Sequence, residues 1–267
     1  MDISFSVITP TYNRGYILWE TIQSIQKQSW PYWELLIIDD GSTDETRKVI
    51  REFQTDPRIH YFHKKNGGSS SARNLGLEKA SCDIITYVDS DDLIFSDYLL
   101  IAKEHFERHP EKTFALVNGN FKIEIYNKDG FIEKSEQIGL SYPRNPTIQN
   151  FYDWKMKILA GTGCFHKRNV FDKHKVRWRN VSPVEDLEFL MQLSRVDPEG
   201  FMYIPQVCYE YKQRYGKDGL YANALSSHWE ESIKKIYELH KDDPLMTHPE
   251  LYLEKFSQYQ KSFTKKS

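Results

Sequence analysis

Three carboxylates, those of Asp89, Asp91 and Asp92, directly follow a short run of strand-forming residues at 84–88. A run this short and apolar, bounded by turn residues, is typical of a strand that is buried on both faces of a parallel sheet. The carboxylates would then lie at the carboxyl end of that strand, the edge at which open α/β sheets bind ligands. Their oxygens suit a hard divalent cation that also holds phosphate oxygens, although an Asp-rich turn in solvent would have the same composition.

The preceding sequence alternates short strands with helices. Strands are predicted over residues 5–9, 34–38, 58–62 and 84–88, the first of them ended by Pro10. Apolar residues at helical spacing, Leu18, Ile22 and Ile25, predict a helix after the first strand, and similar patterns follow the others. Such alternation is typical of a mostly parallel sheet with right-handed crossovers and helices on its faces.

Polar residues follow the other predicted strands as well, and in a parallel sheet these positions converge on one edge. Tyr12 could lie flat on a nucleobase, Asp40 could accept a hydrogen bond from a base or ribose, and Arg73 offers planar donors to phosphate or base. Taken singly, Asp40 also suits a turn or helix N-cap, and Arg73 a surface position on a helix. Together with Asp89 and Asp91 they predict a nucleoside-diphosphate site with a metal ion.

The alternation weakens after about residue 110. The sequence predicts, in order, a strand at 114–117, a hairpin with arms at 121–126 and from 131, a helix over 147–158, a strand at 161–165, a helix over 184–195 and two C-terminal helices. We therefore expect an α/β fold in which residues 1–110 and 111–225 are two halves of one domain, with residues 226–267 as a helical appendage.

Composition narrows the class of protein and its partners. The 267-residue chain has a formal net charge of −2 and a pI of about 6.5, so no polycationic surface indicates a nucleic acid partner. Its three widely spaced cysteines predict neither a disulfide framework nor a zinc site. No apolar run approaches the roughly 20 residues that span a bilayer, and no signal peptide is visible, so we expect a cytoplasmic protein. The aromatic and basic tail at 252–266 could rest on the inner face of a membrane or mediate homo-oligomer contacts, although a packed terminal helix is the favoured interpretation.

Four ordered segments resemble the motifs of family 2 glycosyltransferases. They are SVITPTYN at 6–13, DDGS at 39–42, NGGSSSARN at 66–74 and DSDD at 89–92. The resemblance is strongest over residues 3–100, and it implies an inverting enzyme with the GT-A fold, a mostly parallel central sheet flanked by helices. Beyond residue 110, the glycines of Gly161-Thr162-Gly163 and the acidic pair Glu185-Asp186 resemble the acceptor side of that family.

The resemblance implies a role for each matching residue. Nucleotide contacts would come from Pro10 and Tyr12 near the base, from Asp40 and Arg73 on the uracil side, and from Asp89 at the ribose. Asp91 would bind the Mn²⁺ or Mg²⁺ ion that bridges the diphosphate, and Asp92 would support it or contact the sugar. The nearest histidines that could add a metal ligand are His166 and His228.

The same resemblance implies a general base and a lid. Asp186 would take the proton of the acceptor hydroxyl, with Glu185 as the alternative, while the metal ion stabilises the leaving diphosphate in a single displacement. A late loop at 211–219 contains glycines and cations that suit a lid over phosphates, and Arg214 is the predicted contact there.

The expected reaction moves a hexose or N-acetylhexosamine from a UDP-sugar donor to a hydroxyl of a glycan or glycolipid acceptor. The alternative is a catalytically silent sugar-nucleotide or glycan-binding module, which would keep Asp40 and Asp91 but would not need a base. A dinucleotide oxidoreductase is set aside because PTYN at 10–13 stands where its Gly-x-Gly-x-x-Gly turn would follow the first strand.

Overall fold

A computed structural model of the chain describes residues 2–127, 132–140, 145–152, 161–215 and 227–257. The strands within these ranges are β1 (Phe5–Thr11), β2 (Trp33–Asp39), β3 (Ile59–His63), β4 (Ile84–Tyr87), β5 (Leu93–Ile94), β6 (Phe114–Tyr126), β7 (Ile132–Leu140), β8 (Cys164–Lys167) and β9 (Phe201–Tyr215). The helices are α1 (Leu18–Gln26), α2 (Thr46–Phe53), α3 (Ser69–Lys79), α4 (Tyr98–Arg108), α5 (Ile148–Tyr152), α6 (Arg168–His174), α7 (Glu185–Val196) and α8 (Ser227–His240). A 3₁₀ turn, Pro249–Leu251, leads into a helical stretch at 252–257.

One mixed sheet connects these strands in the order β3-β2-β1-β4-β8-β6-β9-β5, with β7 on β6. The first four strands pair in parallel, as the alternation of strands and helices predicts. Beyond β4 the directions are mixed, since β8 is antiparallel to both β4 and β6 while β9 is parallel to β6. The sheet therefore continues across residue 110, and the second half of the chain extends the edge that carries the site.

Both faces of the central strands are buried, which explains their nearly continuous apolar sequences. Ile8, Leu36 and Tyr87 pack on the face that α3 and α7 cover. Val7 and Leu35 pack on the opposite face with α1 and α4. Helices on both faces hold β1, β2 and β4 firmly, so the positions just beyond these strands are fixed relative to one another.

The first strand is longer than predicted, because it runs through Pro10 to Thr11 instead of ending before the proline. The carbonyl of Ile8 faces β4 and accepts a hydrogen bond from Val88. Since backbone groups alternate sides along a strand, Pro10 faces the same side, where pairing with β4 has already stopped after Ile8. The missing N–H of Pro10 therefore costs no ladder hydrogen bond.

The second half departs from the prediction at two strands. β6 is one strand from Phe114 to Tyr126, although the sequence predicts separate strands at 114–117 and 121–126. Its register against β9 shifts at Val117/Asn118 and Asn118/Gly119, so the apparent break between the predicted strands is a bulge. Residues 211–215 belong to β9, not to the predicted loop, and α6 is an additional element of this half. In the first half, the short strand β5 is also additional to the prediction.

The strand predicted at 161–165 is found as β8, which begins only at Cys164 and runs to Lys167. The remaining predictions for this half are confirmed where the structure describes them. The hairpin is formed by β6 and β7, and α7 begins at Glu185. The predicted helix over 147–158 is present as α5, and its remaining residues lie outside the described ranges, as do residues 128–131, 216–219 and 258–267. Among the described helices, none has both the length and the apolar character needed to cross a bilayer.

The C-terminal helix is anchored to α7 through a buried ionic cluster. Glu188 accepts hydrogen bonds from Arg179, at 2.8 Å, and from the Nε2 atom of His240 on α8, at 3.1 Å. Asp243, just beyond α8, accepts a hydrogen bond from the hydroxyl of Tyr152 at 2.9 Å. The predicted appendage thus packs directly against the helix that carries the acidic pair.

Candidate active site

The carboxyl ends of β1, β2 and β4 form one edge, as predicted. Thr11 is in register with Asp39 and Ile8 with Tyr87, so the residues that follow these strands emerge side by side. The Tyr12 side chain is 48% exposed at this edge, as a ring must be if it is to stack on a ligand.

The two aspartates after β2 bind groups of their own chain. Asp39 accepts hydrogen bonds from the backbone N–H of Ser42 at 2.8 Å and from the hydroxyl of Tyr61 at 2.7 Å. Asp40 is buried, pairs with Lys64, and accepts hydrogen bonds from the backbone N–H groups of Gly67, at 3.0 Å, and Gly68, at 2.7 Å. Asp40 therefore holds the glycine-rich turn that starts α3, and a nucleobase would have to share its oxygens with these donors.

Arg73 is the centre of the site and is only 5% exposed. Its Nη2 atom donates to Oδ1 of Asp89 at 2.7 Å, and its Nη1 atom lies 3.5 Å from Oε1 of Glu185. The guanidinium carbon is 4.5 Å from the ring centre of Trp178. Burial acts to lower the pKa of Arg73, but the charges of Asp89, Asp186 and Glu185 outweigh it and raise that pKa above its usual value. The guanidinium is thus a permanent cation between the β4 edge and the start of α7.

The carboxylates after β4 divide into two groups. Asp89 and Asp91 are partly exposed at the edge. Asp92 is buried, with Oδ2 accepting a 2.5 Å hydrogen bond from the Thr162 hydroxyl and Oδ1 accepting a 3.3 Å bond from the backbone N–H of Lys212. Burial, together with the neighbouring charges of Asp91 and Asp89, raises the pKa of Asp92 well above its usual value. Asp92 anchors β9 and the Thr162 segment beneath the edge.

The donor set fits a Mg²⁺ or Mn²⁺ ion held partly by substrate. Among the described residues, no three His, Cys, Asp or Glu side chains are arranged so that they alone could hold a metal ion. Such ions commonly bind through one or two carboxylates plus the phosphate oxygens of a nucleotide, so a carboxylate at this edge, such as that of Asp91, would be enough on the protein side. His166 is not at this edge: it is buried in β8, its Nε2 atom is 3.0 Å from the Tyr87 hydroxyl, and burial lowers its pKa to about 4.

The acidic pair opens α7 next to α3. Glu185 is buried, and its Oε1 atom accepts a 2.9 Å hydrogen bond from the Ser69 hydroxyl. Asp186 is partly exposed, and its charge adds to burial in raising the pKa of Cys164. The helix start stabilises both acids through its dipole. The structure therefore brings the pair to the same guanidinium that contacts Asp89.

Sequence reasoning missed several groups that position this site. The hydroxyl of Thr162 donates a hydrogen bond to Asp92 and accepts one from the backbone N–H of Asp89 at 3.0 Å, so it links these two residues. Lys212, inside β9, is buried with its ammonium 3.3 Å from the Glu20 carboxylate on α1. No local pattern marks Lys212, because its partners lie on elements far away in the chain. Arg214, the predicted diphosphate contact, is in β9 and its side chain lies outside the described part of the structure.

Relatives of known name share the sequence over part of their length. The chain is 28% identical over 243 residues to the glycosyltransferase GlyA of Streptococcus pneumoniae serotype 4, covering 86% of this chain and 32% of GlyA. It is 36% identical over 132 residues to the GalNAc(5)-diNAcBac-PP-undecaprenol beta-1,3-glucosyltransferase of Campylobacter jejuni subsp. jejuni, covering 48% and 40%. The matched regions span only 24–41% of the length of the curated relatives.

Solved structures share the fold at low sequence identity. S. aureus TarS 1–349 in complex with UDP-GlcNAc superposes with a TM-score of 0.73 at 21% identity, covering 98% of this chain and 73% of that one. The mannosyltransferase PcManGT from Pyrobaculum calidifontis, in complex with GDP-Man and Mn²⁺, gives a TM-score of 0.65 at 19% identity, covering 95% and 70%. The fold is therefore the α/β arrangement of these glycosyltransferases, as the resemblance implies.

The profile of the family described as Glycosyl transferase family 2 matches residues 6–175, which include all four motifs of the first half and the Thr162 segment. The chain belongs to glycosyltransferase family 2.

Proposed function

We propose that the chain is an inverting glycosyltransferase that moves a hexose or N-acetylhexosamine from a UDP-sugar to a hydroxyl of a glycan or glycolipid acceptor. The observation that carries this proposal is the position of Arg73, which contacts Asp89 at the nucleotide edge and lies 3.5 Å from Glu185 at the start of α7. A donor-side carboxylate and the first residue of the acidic pair thus lie on either side of one guanidinium, and the charge of Asp186 also acts on it. This closeness of the two sides is what a single displacement would need.

The nucleotide would lie along the edge formed by β1, β2 and β4. In this proposal Tyr12 stacks on the uracil, Pro10 and Asp40 border it, and Asp89 meets the ribose. Arg73 supports Asp89 from behind, since its guanidinium is buried. The UDP-GlcNAc complex of the structurally similar TarS fragment supports a UDP-sugar donor.

Asp91 is the proposed protein ligand of the Mn²⁺ or Mg²⁺ ion. A divalent cation at this position would neutralise charge on the departing diphosphate. The partial exposure of Asp91 at the edge supports this assignment, and the Mn²⁺ complex of PcManGT is consistent with it. Arg214, on the strand that also carries Lys212, is the proposed additional diphosphate contact.

Asp186 is the proposed general base. Its carboxylate would take the proton from the acceptor hydroxyl as that oxygen forms a bond to the anomeric carbon and the bond to the UDP oxygen breaks. Glu185 is already engaged by Ser69 and lies near Arg73, which favours a supporting role. Adjacent side chains on a helix point about 100° apart, so only one of the two can readily face the reacting carbon.

The acceptor is proposed to be a surface glycan under assembly, either lipid-linked or protein-linked, in the cytoplasm. The undecaprenol-linked substrate in the name of the Campylobacter jejuni relative supports a lipid-linked glycan. Contact with the inner face of a membrane, or between C-terminal helices of two copies, would fit the same setting.

Matched variants of the acidic pair test the proposal. In an assay of UDP release from UDP-sugars with Mn²⁺ and acceptor, Asp186→Asn should lower kcat by roughly 10²- to 10⁴-fold and leave donor affinity near that of the parent chain. Glu185→Gln should have a smaller effect on kcat. If the order is reversed, Glu185 is the base, and if both variants stay active, the base lies elsewhere. A parent chain that binds UDP-sugar but releases no UDP with any acceptor would favour the silent binding module.

A further inference from the structure

One segment, residues 176–184, connects α6 to α7 and delivers the acidic pair to the site. It contributes no strand, so the sheet does not fix its path. Side chains on one face of α3 hold it instead. The hydroxyl of Ser70 donates to the carbonyl of Arg179 at 3.0 Å, and one residue before it Ser69 bonds to Glu185. The position of Glu185 and Asp186 therefore depends on how this segment is attached to α3.

Asn74 makes the most specific attachment. Its Oδ1 atom accepts a hydrogen bond from the backbone N–H of Trp178 at 2.9 Å, and its Nδ2 atom donates to the carbonyl of the same residue at 2.8 Å. The carboxamide thus satisfies both backbone groups of Trp178, as a neighbouring strand would. Gln192 on α7 bonds in the same way to Arg177, the residue before Trp178. It donates to the carbonyl of Arg177 at 2.7 Å and accepts from its N–H at 3.3 Å.

The residue that Asn74 holds connects the nucleotide side to the base side. The Trp178 ring stacks on Phe189 of α7, with ring centres 4.3 Å apart and planes 6° from parallel. The same ring contacts the Arg73 guanidinium at 4.5 Å. Asn74 follows Arg73 directly on α3, so one turn of helix sets both the cation and the indole that packs beside it. A shift of Trp178 would move the start of α7 relative to Arg73.

We propose that Asn74 is a positioning residue that fixes the carboxylates at the start of α7 relative to Arg73 and the donor. This inference rests on the proposed function, because it assumes that one of these carboxylates is the base. It assigns to Asn74 an effect on proton transfer, through Trp178, without contact with substrate. Small displacements of a reacting group cost about 100-fold in rate per ångström, so a backbone attachment of this kind has a measurable effect on catalysis.

The test compares Asn74→Ala with Gln28→Ala. Gln28 is a matched control because its carboxamide also bridges backbone groups, accepting from the N–H of Leu99 at 3.0 Å and donating to the carbonyl of Phe95 at 2.7 Å. It lies just after α1, away from the acidic pair. Both variants should lower the Tm. Only Asn74→Ala should lower kcat, by about 10- to 100-fold, with KM for the UDP-sugar within about twofold of the parent value.

The pH profile of kcat/KM separates positioning from loss of stability. Moving the base away from the Arg73 cation weakens an attraction that favours the ionised carboxylate, so the acidic limb of the profile should shift to higher pH in Asn74→Ala and not in Gln28→Ala. If Asn74→Ala does not fold, Gln192→Ala offers a second test, because it removes the other side-chain attachment of the same segment. It should shift the acidic limb of the pH profile in the same direction.

The inference is overturned if both Asn74→Ala and Gln28→Ala change the Tm alone, or if the acidic limb stays in place. It is also overturned if KM for the donor rises in step with the fall in kcat, since Asn74 would then act on donor binding. These results differ from a failure of the proposed function, which would appear as a parent chain without UDP release.

Discussion

One buried histidine, His166, should contribute strongly to the pH dependence of the free energy of unfolding. Its side chain lies inside the sheet on β8, bonded to the Tyr87 hydroxyl, and burial lowers its pKa from 6.5 to about 4. In the unfolded chain the imidazole takes up a proton near pH 6.5, whereas in the folded chain it stays neutral down to about pH 4. The stabilising contribution is therefore complete above the unfolded pKa and is lost as the pH falls through this window.

The magnitude follows from the shift. Each unit of pKa corresponds to about 1.4 kcal/mol, so the full difference is about 3 kcal/mol, of which about 2 kcal/mol is already lost at pH 5. His166→Gln removes the titration and keeps a group that can hydrogen-bond to Tyr87. Between pH 7.5 and pH 5, the free energy of unfolding should therefore fall in both proteins, but by about 2 kcal/mol less in His166→Gln than in the parent chain.

Urea denaturation of the two proteins at both pH values measures this difference directly, since all other titrating groups are shared. Thermal unfolding across the same range provides a second measurement. Parallel pH dependence in the two proteins would refute the reasoning, because it would mean that His166 is protonated as readily in the folded chain as in the unfolded one.

Two further predictions concern the site. A methyl group added in Gly161→Ala would lie 2.9 Å from Nη2 of Arg73 and 3.0 Å from Oδ1 of Asp89. It should therefore push these two side chains apart and weaken UDP binding by about tenfold or more, as measured by calorimetry. Unchanged affinity would contradict the proposed role of this ion pair. Asp91→Asn should abolish the Mn²⁺-dependent part of UDP binding with little change in Tm, because it alters a partly exposed group at the sheet edge, and a variant that binds UDP with Mn²⁺ as tightly as the parent would exclude Asp91 as the ligand.

The sequence predicts the first half of the fold well because its signals are local. Apolar runs of four to seven residues, ended by turn residues, mark strands that are buried on both faces, and parallel pairing then brings their ends together. Tyr12, Asp40 and Asp89 are found at the predicted edge for this reason. The same local signal does not reveal that Asp40 binds the turn before α3, since the partners Gly67 and Gly68 come from the next strand–helix unit.

The second half is less predictable because its elements are defined by distant partners. The sequence predicts a loop from residue 211, where polar residues precede a glycine. The structure instead has β9 there, paired with β6. Asp91 and Asp92 look equivalent in the sequence. Asp92 becomes the buried anchor because it accepts a hydrogen bond from the backbone N–H of Lys212, 120 residues later in the chain. Pairings at such separations leave no periodic trace in either segment.

The shared guanidinium of Arg73 makes events on its two sides thermodynamically linked. A ligand that draws Asp89 toward itself leaves more of the positive charge of Arg73 to Glu185, and so changes how strongly the start of α7 is held. Reciprocity requires the converse, that a ligand engaging Glu185 changes the affinity of any ligand engaging Asp89 by the same factor. Occupancy at the edge beyond β4 and occupancy at the start of α7 are therefore cooperative, because both act on a single side chain.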